Sequence, residues 1–120
     1  MVEKFKKILS AIETERGSVN LLALLKMDEF TDKWSVILSA SWAKESNIDD
    51  FKYFLRVVRA NLSPQELLTI ARVGISSREE HLIDLLLRYS TDAHILNEKI
   101  NGNQIHEGFI IKSERTQTVA

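Results

Sequence analysis

Three histidines, His81, His94 and His106, are the first residues to test for chemistry, because imidazole binds metals and moves protons near neutral pH. Their spacing argues against a shared site. No two stand four apart on a helix or two apart on a strand, the separations that put two imidazoles on one face. We expect no metal and no cofactor. Carboxylates gather at Asp28, Glu29 and Asp32, in a short loop beside Trp34. Paired acids can hold a divalent cation or do acid–base work, but the ligand pattern of a calcium loop is missing, and a solvated hairpin loop accounts for them. Asp50-Phe51-Lys52 has the acid-x-Lys spacing of a nuclease strand, yet it falls in the first turn of a helix, where the dipole favours an acid. The glycines, Gly17, Gly74, Gly102 and Gly108, lie too far apart for a phosphate-cradling loop.

Lys52, Arg56 and Arg59 follow the spacing i, i+4, i+7 and share one helix face. They suit a phosphate or an acidic partner; the plainer reading is a solvated face. The last candidate comes from topology. In sheets with parallel strands, ligands collect beyond the carboxyl ends of those strands. Here those ends would bring together Ser41, Trp42, Ser76, Ser77 and Arg78. A helix starting at Arg78 would add backbone N–H groups and the positive end of its dipole, which attract a small anion. No nucleophile–base–orienter set can be assembled from the sequence.

The elements that must position these residues follow from periodicity and caps. Residues 2–16 carry Val2, Phe5, Ile8, Leu9 and Ile12 on one helical stripe, and Gly17 ends it. Residues 19–27 are an apolar run and read as a buried strand. In 34–42, Trp34, Val36, Leu38, Ala40 and Trp42 alternate with small or hydroxylated residues, the pattern of a half-buried strand that puts both tryptophans on its core face. Asn47 caps a helix at 48–61 with a stripe of Ile48, Phe51, Leu55, Val58 and Leu62. Ser63-Pro64-Gln65-Glu66 is a capping box with proline at the first helical position. It opens either one turn followed by a strand at 68–75 or a longer helix. Ser77-Arg78-Glu79-Glu80 reads as a second capping box, opening a helix at 78–89. Asn101-Gly102, between apolar segments at 93–100 and 103–112, predicts a two-residue hairpin turn. That register places Leu96, Ile100, Ile105, Phe109 and Ile111 on one face.

The order is α-β-β-α-β-α-β-β, an α/β chain forming one mixed five-stranded sheet with three main helices. Residues 1–112 make a single domain and 113–120 a flexible tail. Two β-helix-β connections imply two pairs of parallel neighbours. The chain has 120 residues, 44% hydrophobic and 28% charged, with no cysteine and a formal net charge of -1. Those figures describe a globular domain that needs no disulfide. They speak against nucleic-acid binding, which calls for a basic excess. No signal peptide is visible, and the longest wholly apolar run, Leu21–Leu25, cannot span a membrane, so a cytoplasmic protein is expected.

Asp32-Lys33-Trp34, Ser39-Ala40-x-Trp42 and Leu62-Ser63-Pro64-x-Glu66-Leu67 together resemble a family of small uncharacterised bacterial and archaeal proteins over residues 2–112. The family has no assigned activity, so the resemblance implies a single domain and no site residues. Two functions remain. One is a non-enzymatic binding or assembly module that self-associates as a homodimer through an exposed sheet edge. The other is a small anionic-ligand-binding protein, or a minor enzyme, using the strand-end pocket.

Overall fold

The computed structural model describes residues 1–28, 32–77 and 80–114. Its centre is β1 (Leu21–Met27), whose run LLALL is apolar at every position because both sides of the strand are covered. Leu22 and Leu24 point into one core, and Leu21, Ala23, Leu25 and Met27 into the other. β2 (Trp34–Ser39) runs antiparallel to β1 on one side. On the other side lies β5 (Asn103–Ser113), also antiparallel, and β4 (His94–Ile100) pairs with β5 through the hairpin. β3 (Ile70–Ile75) lies parallel to β2. The sheet order is β3-β2-β1-β5-β4, so β3 and β4 are its two edges.

This is the mixed five-stranded sheet expected, with one change in the connections. Among the described residues only the β2–β3 crossover joins parallel neighbours. The link from β3 to β4 spans the whole sheet, since β2, β1 and β5 occupy the positions between.

Three layers result. α1 (Val2–Arg16) and α2 (Ile48–Asn61) cover one face, with Phe5, Ile8, Ile12, Phe54 and Val58 packed on Leu22, Leu24, Val36 and Leu38. The short α4 (His81–Leu86) covers the other, where Ile83 and Leu86 meet Ile95, Ile105 and Ile110. Between α2 and β3 sits one helical turn, α3 (Pro64–Leu67). Its capping box is complete: the Ser63 hydroxyl accepts the Glu66 N–H at 3.2 Å, and the Glu66 carboxylate accepts the Ser63 N–H at 2.8 Å. The strand after it, not a longer helix, is what forms. Glu66 also meets the Lys4 ammonium of α1, and these bonds hold its pKa down to about 2. Lys112 is likewise tied down. Burial alone would depress its pKa, but the carboxylates of Glu13 and Glu114 outweigh burial and leave it raised.

Three local expectations change. β2 ends at Ser39, so Trp42 lies beyond the strand in a turn. α4 begins at His81 with Glu80 as its cap residue and ends at Leu86, shorter than the expected helix at 78–89. Arg78 and Glu79 of that expected capping box lie outside the described residues. β5 continues through Ser113, and the Glu114 N–H bonds to the Asn20 carbonyl at 2.7 Å, so the expected tail starts inside the sheet; 115–120 are outside the described residues.

The hairpin turn forms as expected, with φ of 51° at Asn101 and 76° at Gly102. Its faces do not run straight. Asn97 has φ 48°, and β5 carries an irregularity opposite Lys26 and Met27. Side chains exchange sides there. Ile100 and Ile105 face α4, whereas Phe109 and Ile111 pack with α1, and Leu96 is 57% exposed.

Candidate functional site

The strand-end site is dispersed. Ser41 and Ser77 do line one hollow, of about 260 Å³, with Ser39, Ala40, Lys44 and Glu45. Ser76 belongs to a different hollow, on the α4 face, with Arg72, Gly74 and Glu80. Trp42 turns away from both. Its indole N–H points at the carbonyls of Gly17 and Ser18, at 3.1 and 3.2 Å, and its ring meets Tyr53 edge-on at 6.1 Å. Arg78 is outside the described residues. Two carboxylates bear on this end of the sheet. Burial, together with repulsion from Glu45 and a hydrogen bond to it, raises the pKa of Glu80. Close acids that share a proton favour a cation or no ligand over an anion.

The histidines stay apart. His94 bonds to Glu107 at 2.9 Å and stacks on Phe109, with ring centroids 4.4 Å apart. His106 bonds to Asp28 at 2.6 Å, which ties the start of the acidic loop to β5. Glu29 of that loop is outside the described residues. Among the described residues no group of three or more His, Asp or Glu is placed to hold a metal.

The feature that sequence reasoning missed is on α2. Of the predicted stripe, only Val58 and Leu62 are fully buried, and Ile48 is 64% exposed. The helix is rotated so that Tyr53, Phe54, Val57 and Val58 enter the core. Phe51 and Leu55 are left half-buried at its margin, overhanging the β3 edge. Between them and β3 runs a groove of about 300 Å³, with Leu67, Ile70 and Val73 as its apolar wall and Arg59 at its rim. Leu55 and Arg59 also line a second, adjoining depression of about 480 Å³, where Lys52 and Arg56 stand. Lys52, Arg56 and Arg59 are exposed. Among the described residues none of the three makes an ion pair; Arg56 lies 5.7 Å from the Tyr53 ring, which Arg16 approaches more closely, at 4.0 Å. The signal available in the sequence was the apolar excess of α2. Its stripe of Ile48, Phe51, Leu55, Val58 and Leu62, added to Phe54, is wider than one sheet face can cover.

β3 itself supplies the other half of the arrangement. The Ser76 N–H bonds to the Leu38 carbonyl at 2.9 Å. Alternation along the strand then turns Gly74 and Arg72 toward β2 and directs the backbone groups of Val73 and Ile75 outward, past the edge of the sheet. An extended chain laid there would find hydrogen-bonding partners in the backbone and apolar wells beside it.

No family model matches the chain, and no curated protein and no solved structure matches it.

Proposed function

We propose that this chain is a non-enzymatic binding module of the cytoplasm that takes up an added strand at the β3 edge. The observation that carries the reading is the pairing of an open strand with the groove beneath Phe51 and Leu55. Strand addition draws affinity from backbone hydrogen bonds and selectivity from pockets for alternate side chains, and both halves are present. The absence of cysteine suits a reducing compartment. A second copy could use the same edge, joining two five-stranded sheets across a twofold axis, as the homodimer reading requires. Such a pair would set two α2 helices on the same side of the seam, each presenting Lys52, Arg56 and Arg59. Like charges brought together at a seam work against it.

A small anion at Ser41, Ser77 and Arg78 is the alternative ligand. The hollow beside Ser41 and the Lys44 side chain support it, and the Glu45–Glu80 pair opposes it.

The test of strand addition is Val73→Pro. Proline removes the outward N–H of Val73 and leaves the bonds of Arg72 and Gly74 toward β2 in place. The variant should keep its circular dichroism spectrum and lose capture of extended peptides, measured by calorimetry. Peptide binding that survives Val73→Pro would contradict the proposal.

A further inference from the structure

We infer that the strand taken up at β3 is an acidic, extended segment of a partner protein, combining apolar side chains with several carboxylates. The inference rests on the strand-addition reading and adds to it the chemistry of the occupant. Phe51, Leu55, Leu67, Ile70 and Val73 line the groove, so side chains entering it must be apolar. The same wall continues without a break into Lys52, Arg56 and Arg59, because Leu55 and Arg59 belong to both depressions. Cations at i, i+4 and i+7 form a row along α2. A strand following β3 therefore runs beside a line of positive charge, although the whole chain has a net charge of -1. The charge is local to this wall, and that is what selects the partner. Carboxylates on the added strand would meet guanidinium groups able to bind them through two hydrogen bonds. The same row repels a second copy of this chain and any basic segment.

The probes are blocked peptides of about ten residues with a repeating valine-valine-glutamate-glutamate sequence, which sends both residue types to each face of a strand. In the control peptide lysine replaces glutamate. Calorimetry on the intact chain should give binding of the glutamate peptide at least about tenfold tighter than the lysine peptide, a difference that shrinks as salt is raised. The combined variant K52E/R56E/R59E, whose substitutions lie on exposed positions and should leave the fold intact, should reverse that preference. Equal affinity for the two peptides, or a preference unchanged in the triple variant, overturns the acidic partner while leaving strand addition standing. Loss of both peptides, with light scattering reporting a species of twice 13.8 kDa that Val73→Pro returns to the monomer, overturns it in favour of a second copy. Binding of neither peptide by a chain that stays monomeric overturns strand addition itself.

Discussion

The two edges of this sheet, β3 and β4, meet solvent in opposite ways. β4 reads HILNEKI: four of its seven residues, His94, Asn97, Glu98 and Lys99, are polar or charged, and the edge bends at Asn97, where φ is 48°. Glu98 is held by the Tyr89 hydroxyl, just beyond the end of α4, and His94 by Glu107. A charged, bent and tethered strand is a poor template for another chain. β3 reads IARVGI, with Arg72 its one charged residue, and it lies beside an apolar groove. One chain thus carries a guarded edge and an open one. The guarded edge shows that this fold has the means to block strand pairing, and β3 does not use them.

Breaking the guarded side should cost most. Gly108 of β5 pairs with Ile95 of β4 and Leu25 of β1, and a Cβ there would stand 2.9 Å from Leu25 Cδ2 and 3.5 Å from Ile95 Cβ. Gly108→Val should therefore destabilise the fold by about 2 kcal/mol through overpacking, read as a fall in denaturation midpoint. Gly102→Val has open space around its Cβ, so its cost is conformational: a β-branched residue forced to φ 76° should lose about 1–2 kcal/mol. An unchanged melting temperature would refute the turn's role in holding β4.

On the open side, Val73→Pro should cost about 1 kcal/mol or less, since an edge position with an outward N–H tolerates proline. A loss as large as that of Gly108→Val would mean that β3 is already paired in solution.

The smallest effects are those of pH. The Glu98 carboxylate, with help from burial, pushes the Tyr89 hydroxyl up to about 12. Its pKa is raised by folding, so the contribution is complete below pH 10 and is lost as pH rises from there through about 12. Phenolate absorbance should show both tyrosines ionising above pH 10, since burial and Glu15 raise Tyr53 as well; Tyr89→Phe should remove the step near 12, and α4 should loosen from β4 as Tyr89 titrates. Glu66 is depressed to about 2, so its bonds to Lys4 and Ser63 contribute above about pH 4.5 and are lost as pH falls toward 2. Lys4→Ala should move the acid limb of a stability profile in that window only.

Much of the fold could be read from short-range chemistry. Asn47, Ser63-Pro64 with Glu66, and Asn101-Gly102 each satisfy a local backbone demand with their own side chains or φ preferences, and each lies where the sequence predicts. The failures are long-range. Nothing near Asn97 announces that its backbone will exchange the faces of the hairpin, and nothing near β3 announces that β2, β1 and β5 will all separate it from β4. Ser41 and Ser77 do share a hollow, because the β2–β3 crossover sets the two strand ends side by side, but Trp42 lies away from it because β2 ends at Ser39. The α2 groove was hidden for a related reason. Periodicity gives the width of an apolar stripe, while the neighbours decide which part of it is buried.

The central claim is that β3 is the binding edge, and amide mapping tests it most directly. Backbone resonances should be followed while the valine-glutamate peptide is added, together with hydrogen exchange in the presence and absence of the peptide. The account predicts that the Val73 and Ile75 amides shift and become protected, that the side chains of Phe51 and Leu55 shift with them, and that Leu96 and Lys99 of β4 stay unchanged. Changes centred on β4, or on the hollow at Ser41 and Ser77 with β3 unaffected, would contradict it.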